Sequence, residues 1–200
     1  MQKQGTIIKV SGPLVVAKGM EGSKMYEVVR VSDKKLIGEI IGINGDEVSV
    51  QVYEETSGVG PGEPVYPTGE TMQVELAPGL LESIYDGIQR PLKALEQAAG
   101  AYITRGIDVP GLDYDKKWDF KAVKNVGETV IPGDTLGEVQ ETTLINHKIM
   151  TPPGISGKIK EIKNGNFNIT ETIAVITDKE GKDHDIAMLQ KWSIRKSRKS

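Results

Sequence analysis

The stretch Ile37-Gly-Glu-Ile-Ile-Gly-Ile-Asn-Gly-Asp-Glu-Val-Ser-Val-Gln-Val-Tyr53 decides the fold of the N-terminal part of this chain. It predicts a β-hairpin, because Asn44 and Gly45 both tolerate the positive φ angles that tight hairpin turns require. Apolar residues alternate on both sides of the turn, as they do in half-buried strands. They are Ile41 and Ile43 on one face before the turn, and Val48, Val50 and Val52 on one face after it.

Further strand-like runs lie on the N-terminal side of this hairpin. Thr6–Val10 and Leu14–Ala17 flank the corner Ser11-Gly12-Pro13, and Met25–Val31 follows a glycine-rich turn. Several short strands at close spacing are typical of a small closed barrel, since closure removes the exposed strand edges. The sequence therefore predicts an N-terminal β-barrel over residues 1–70.

The composition agrees with a mainly β protein. The 200 residues suffice for one or two domains, and 23 Gly and 10 Pro against only 2 Phe and 2 Trp favour turn-rich β-structure. The absence of cysteine excludes disulfides and thiolate metal ligands. The net charge of −3 gives no reason to expect nucleic-acid binding. No apolar run approaches the roughly 18 residues of a membrane helix, so we expect membrane association only through partners.

Helical spacing follows the barrel. A stripe of apolar residues at i, i+1, i+4, i+5 and i+8 predicts a helix; its members are Leu80, Leu81, Ile84, Tyr85 and Ile88. Pro91 interrupts the stripe because it lacks the N–H of the helical ladder. A second short helix is predicted from Leu92 to Ala99, ended by Gly100 or Gly106. Together these pieces predict a short helical connector.

A second β-rich block is predicted from Phe120 to Ile186. Regular turn signals divide it, among them Pro132-Gly133-Asp134 and Asn164-Gly165, and a strand is expected at Thr172–Thr177. Its predicted core consists of Val130, Leu136, Val139, Ile159, Ile162, Ile169, Val175 and Ile176. The last ten residues, 191–200, are basic and lack periodicity, so we expect them to fray.

Neither a phosphate-binding loop nor a catalytic set can be identified. The pattern Gly-x-x-x-x-Gly-Lys-Ser/Thr is absent, and a loop without its backbone donors and lysine holds no ATP. Gly58, Gly60 and Gly62 form a glycine-rich loop, but Pro61 removes a donor and Glu63 would repel phosphate. The predicted site content is therefore no catalytic residue, no cofactor-binding residue and an inactive chain.

Metal binding is not predicted either. His147 and His184 are the only histidines, and the acidic residues around His184 lack the spacing of a calcium loop. They are interpreted as a solvated hairpin tip. The C-terminal basic residues lack an aromatic platform or a nucleic-acid motif and are interpreted as a solvated face; they are Lys158, Lys160, Lys163, Lys191, Arg195, Lys196, Arg198 and Lys199.

Two long stretches carry a family resemblance. Glu55-Thr-Ser-Gly-Val-Gly-Pro-Gly-Glu-Pro-Val65 and Val74-Glu-Leu-Ala-Pro-Gly-Leu-Leu-Glu-Ser-Ile-Tyr-Asp-Gly-Ile-Gln-Arg-Pro-Leu92 resemble the catalytic A subunit of archaeal and vacuolar rotary ATPases. Val10-Ser-Gly-Pro-Leu-Val-Val-Ala17 and Gln190-Lys-Trp192 also fit, and the resemblance covers nearly the whole chain. The archaeal form is the expected match.

The resemblance implies three parts, namely a β-barrel (1–70), a connector with the start of the nucleotide-binding domain (71–111) and a bulge or non-homologous insertion (112–186). Residues 187–200 are expected to form a C-terminal tail. The resemblance implies B subunits in an alternating hexameric head and peripheral stalk subunits as partners. It also implies a peripheral location on the cytoplasmic side of the cell membrane. ATP and Mg would belong only to the full-length subunit, which would transport protons or sodium ions.

Two alternatives remain open. Residues 127–176 resemble a biotinyl/lipoyl carrier domain, which gives the predicted second domain a barrel-sandwich-hybrid-like fold. A carrier needs a lysine at the hairpin tip, whereas Thr142-Thr-Leu-Ile145 has none, and Lys148 lies too close to Pro152. The shared fold would then be a scaffold without a prosthetic group. The other alternative is an independent regulatory binding module.

Overall fold

The described part of the chain is mainly β, and its one described α-helix is short. The computed structural model describes residues 4–81, 83–99, 105–107 and 109–195. They fall into two compact units, each with its own core. The first unit takes its described residues from Met1–Val74, Ala94–Asp108 and Ser193–Ser200, and the second takes them from Glu75–Lys93 and Val109–Trp192.

The first unit contains a closed six-stranded barrel in the order β1-β2-β5-β4-β3-β6, and β6 pairs with β1 to close it. The strands are β1 (Gly5–Ser11), β2 (Leu14–Lys18), β3 (Glu27–Val31), β4 (Leu36–Asn44), β5 (Glu47–Val52) and β6 (Pro64–Thr71). All neighbouring strands run antiparallel. The predicted N-terminal barrel is confirmed.

The decisive hairpin is β4–β5, but its turn lies one residue later than the sequence indicates. Asn44 pairs with Glu47, so Gly45 and Asp46 form the turn, and only Gly45 takes a positive φ (63°). A glycine at the first of two turn positions suits the right-handed twist of the strands. The register of β4 shifts after Ile40, and Ile41 beyond this irregularity is exposed.

The second unit contains two four-stranded sheets, ordered β11-β10-β8-β13 and β15-β14-β12-β9. Their strands are β8 (Trp118–Ala122), β9 (Thr129–Val130), β10 (Thr135–Gln140), β11 (Asn146–Met150), β12 (Gly157–Ile162), β13 (Gly165–Phe167), β14 (Thr172–Thr177) and β15 (Asp183–Ala187). A separate two-stranded sheet pairs β7 (Gln73–Leu76) with β16 (Gln190–Ser193). The mainly β fold class with a second β domain is confirmed.

Most of the predicted core of the second unit is buried, with two differences. Ile162 is only partly buried, and so is Val175, whereas Ile173 and Ala174 are fully buried. The pairing of β14 with β15 shifts between Thr172 and Ala174. Such an irregularity lets two consecutive side chains point inward, which breaks the alternation that a regular strand would show.

The predicted helix at Leu80–Ile88 is wrong. This stretch forms turns and a bridge between Tyr85 and Pro91, and Ile84 is 75% exposed. The Asp86 carboxylate accepts hydrogen bonds from the backbone N–H groups of Ile88 (3.1 Å) and Arg90 (2.9 Å). Side chain to backbone bonds of this kind compete with the helical ladder.

The second predicted helix is confirmed as α1 (Leu92–Ala99). Gly100, offered as its end, lies outside the described residues. No helix in the described part of the chain is long and apolar enough to cross a membrane.

The expectation that the chain frays from residue 191 is wrong for the described residues. Gln190–Ser193 forms strand β16, and the Ile194 N–H donates to the Met72 carbonyl at 3.1 Å. The Arg195 guanidinium binds Glu39. Sequence periodicity gives no information about these specific contacts. Residues 196–200 lie outside the described part.

Candidate functional site: buried carboxylates and an exposed hairpin tip

The glycine-rich loop between β5 and β6 presents carbonyl oxygens to two cations. The Lys34 ammonium donates to the carbonyls of Ser57 and Gly58, each at 3.2 Å. The Arg105 guanidinium donates to the carbonyls of Glu55 (3.0 Å) and Ser57 (2.8 Å). This arrangement is the opposite of a phosphate cradle, in which backbone N–H groups face an anion.

The two histidines belong to different hairpins. His147 lies on β11 and its Nδ1 is 2.7 Å from Glu141 Oε2, while His184 lies on β15 and its Nε2 is 2.7 Å from Asp178 Oδ2. Each histidine therefore has one carboxylate partner. Within the described ranges, no three His, Asp or Glu side chains are grouped so as to hold a metal ion.

Several of the predicted basic residues have carboxylate neighbours. Lys160 pairs with Asp183, and Lys163 pairs with Glu161. The ammonium of Lys191 is 3.5 Å from Glu75 Oε1. Lys196, Arg198 and Lys199 lie outside the described residues. Among the described residues, these lysines lie beside carboxylates, so they do not form the uniformly basic surface that nucleic-acid binding requires.

Glu39 on β4 is a buried carboxylate at the centre of a polar cluster in the first unit. Arg195 donates to both carboxylate oxygens, with Nε at 2.9 Å from Oε1, and the Tyr53 hydroxyl donates to Oε2 at 3.0 Å. The guanidinium also lies 4.9 Å from the centre of the Tyr26 ring. The hydrogen bond from Arg195 lowers the pKa of the Glu39 carboxyl despite its burial.

Glu75 is the centre of a second cluster, in the second unit. The Tyr114 hydroxyl donates to Glu75 Oε1 at 2.6 Å, and burial together with this carboxylate raises the pKa of Tyr114 to about 12. The Gln89 side chain binds both the N–H (2.7 Å) and the carbonyl (2.6 Å) of Glu75. This pairing fixes the connector turn against β7.

Glu141 is the third centre, at the end of β10. Its Oε1 accepts the backbone N–H groups of Gly79 (2.7 Å) and Leu81 (3.1 Å), and Oε2 faces His147. The side chain has no solvent exposure. Burial raises the pKa of the Glu141 carboxyl, but the hydrogen bonds from His147, Leu81 and Gly79 outweigh burial and lower it overall.

The β10–β11 hairpin projects an apolar residue at its tip. Leu144 is 93% exposed. The tip is held by Thr142 Oγ1, which accepts the N–H groups of Leu144 (3.3 Å) and Ile145 (3.1 Å), and by Gln140 Nε2, which donates to the carbonyl of Ile145 at 3.2 Å. A carrier domain would have its modified lysine here, and this chain has leucine.

The three carboxylate clusters were not predicted from the sequence. Glu39 and Arg195 are 156 positions apart, and Tyr114 and Glu75 are 39 apart, so no local spacing joins them. Glu141 and His147 offered a weak signal, because they flank the predicted tip at six residues' separation.

Comparison with known proteins connects both units with one family. Residues 7–69 match the beta-barrel domain of the ATP synthase alpha/beta family. Residues 109–195 match the barrel-sandwich domain of the ATP synthase alpha/beta subunit. The two matches follow the two units of the structure.

Full-length relatives make the match more specific. The V-type ATP synthase alpha chain of Clostridioides difficile (strain 630) is 56% identical over 98% of this chain and 33% of the relative. That of Acetivibrio thermocellus is 55% identical over 96% of this chain and 33% of the relative. This chain is similar to the N-terminal region of V-type ATP synthase alpha chains. It spans about a third of the length of the curated relatives it matches.

The alpha-chain match gives a context to the two units. The stretches quoted for the resemblance, residues 55–65 and 74–92, are the β5–β6 loop and the turn-rich connector. Both of these relatives are bacterial, so the expected archaeal affinity stays a prediction.

Proposed function

We propose that this part of the alpha chain serves the assembly of a rotary ATPase head and its coupling to the peripheral stalk. The observation that carries the proposal is the second unit, a β domain with its own core and a projecting hairpin. A domain of this kind adds a binding surface without adding a reaction centre. The partners would be B subunits, alternating with alpha chains in a hexameric head, and stalk subunits.

The barrel would supply the head-assembly surface. Its outer face carries exposed apolar side chains on the strands β1, β2 and β4; they are Ile8, Leu14, Ile41 and Ile43. Burying exposed apolar side chains against another protein is favourable. Neighbouring subunits of the head would cover this face.

Nucleotide chemistry would belong to the remainder of the alpha chain. The 200 residues contain no phosphate-binding loop, and the glycine-rich loop offers carbonyls to Lys34 and Arg105. ATP and Mg are therefore proposed only for the full-length subunit. The transported ion would be a proton or sodium, and the membrane would be reached from the cytoplasmic side through the assembled complex.

Deleting residues 112–186 from the full-length subunit tests the coupling role. We expect ATP hydrolysis to continue while ATP-driven ion pumping, measured in reconstituted vesicles, falls, because the head would lose its stator contact. An active-site variant that stops both activities together is the control. Normal coupling after the deletion, with hydrolysis intact, would overturn the stator role.

A further inference from the structure

Residues 77–81 of the connector belong to the second unit, and their backbone is not part of any strand. Ala77 is fully buried and Leu80 partly so, both in the cluster that contains Trp118. Gly79 has a φ of +103°, and a Cβ there would be 3.3 Å from Trp118 Cζ2. Pro78 has no N–H to donate. The backbone N–H groups that follow it in this segment still need hydrogen-bond acceptors.

One side chain meets this need. Glu141 Oε1 accepts two of these connector N–H groups, from Gly79 and Leu81, while Oε2 is engaged by His147 on the other strand of the hairpin. The connector between Pro78 and Leu81 forms turns and no strand, so no sheet ladder holds it. Hydrogen bonds to a charged, buried acceptor are stronger than those between neutral groups.

We propose that Glu141 is a latch, a positioning residue that fixes the connector at Gly79 and Leu81 on the β10–β11 hairpin. His147 holds the second carboxylate oxygen and so sets the orientation of the first. The inference goes beyond assembly and coupling, because it assigns a conformational role to a single buried carboxylate. Its consequence is that a displacement of the hairpin moves the connector with it.

The charge of Glu141 is part of the latch. His147 is the charged or titratable group that faces this carboxylate in the described part of the chain; the other partners are backbone N–H groups. The pKa of Glu141 lies below its ordinary value of 4.5. The latch is therefore closed above about pH 4.5 and opens as the pH falls through the lowered pKa.

Amide hydrogen exchange of the whole chain tests the latch. In Glu141→Gln, we expect the Gly79 and Leu81 amides to exchange about tenfold faster or more, since a charged acceptor is lost. His147→Gln should accelerate the same amides by a smaller factor. Asp178→Asn is the matched control, because it alters the other histidine–carboxylate pair and should leave residues 79 and 81 unchanged.

Three results would overturn the proposal. One is unchanged exchange at Gly79 and Leu81 in a folded Glu141→Gln variant. Another is uniform acceleration across the second unit, which would make Glu141 a general stabiliser. If that variant does not fold, hydrogen exchange of the wild-type chain at decreasing pH provides the test, after correction for intrinsic exchange rates. The latch requires the Gly79 and Leu81 amides to lose protection below pH 4.5 before the amides of β10 and β14 do. Simultaneous loss of protection contradicts the latch.

Discussion

Single carboxylates hold together parts of this chain that are far apart in sequence. Glu39 receives Arg195 and Tyr53, and Glu141 receives two connector N–H groups and His147. Both side chains are almost completely buried, at 1% and 0% exposure. A buried carboxylate is tolerated only when its charge is compensated, so each partner matters more than an exposed ion pair would.

Glu39 should give the first unit an acid-sensitive component of stability. Its pKa is lowered in the folded state, so the stabilisation is present above about pH 4.5 and is lost as the pH falls through the lowered pKa. In Glu39→Gln this component should be absent. The difference in the free energy of unfolding is measured by urea unfolding of both proteins between pH 7 and pH 3, with hydrogen exchange of the β4 amides as the readout. Identical pH profiles would show that Arg195 does not stabilise the ionised carboxylate.

Val50 tests the inside of the barrel. Its side chain has no exposure and belongs to the core cluster of the first unit. Val50→Asp should lower the free energy of unfolding by about 3 kcal/mol or more, because it buries an unpaired carboxylate. The neighbouring Gln51→Asp, at an exposed position, is the control. Equal melting of Val50→Asp and the wild type would mean that Val50 does not face inward.

At the scale of the element, the close approach of neighbouring strands explains why glycine is required at a strand position that side-chain alternation treats as neutral. Gly137 in β10 lies directly against β8, where an added Cβ would be 2.3 Å from the Phe120 ring and 2.6 Å from the Lys121 carbonyl. The alternation rule treats this glycine as a neutral strand position. In the structure it is the position at which the sheet admits no side chain.

Gly137→Ala should therefore destabilise the second unit by about 1–3 kcal/mol through overpacking. Gly87→Ala is the matched control in the same unit, since an added Cβ there meets no heavy atom within 4 Å. Tryptophan fluorescence suits the measurement, because Trp118 and Trp192 both belong to the second unit. A wild-type midpoint for Gly137→Ala would contradict the close approach of β10 and β8.

Strands bounded by turn residues could be predicted, whereas the connector could not. The hairpin β4–β5 and the strand at Thr172–Thr177 follow from local patterns, because their turn residues and alternation lie within a few positions. The apolar stripe at Leu80–Ile88 has helical spacing too. However, backbone N–H groups in and beside this stripe donate to the Glu141 and Asp86 carboxylates instead. The bonds to Asp86 are local and compete with the helical ladder, whereas those to Glu141 are tertiary, and a local sequence pattern contains no information about them.

At the scale of the whole molecule, the chain combines two β units with separate cores, and its sequence is similar to the N-terminal region of V-type ATP synthase alpha chains. Under the proposed function, these units would contact other subunits, and neither of them would bind nucleotide. Subunit contact and nucleotide binding require different arrangements of groups at a protein surface. A stator contact needs exposed and preorganised side chains, such as Leu144 on its hydrogen-bonded tip, whereas a nucleotide site needs convergent backbone donors.

Isothermal titration calorimetry of this chain tests the assignment most directly. Purified peripheral-stalk subunits from the same organism and Mg-ATP are titrated separately into the folded chain. We predict saturable heat with the stalk subunits and no saturable heat with Mg-ATP at micromolar concentrations. Clear micromolar binding of Mg-ATP, with no binding of the stalk subunits, would contradict the assignment.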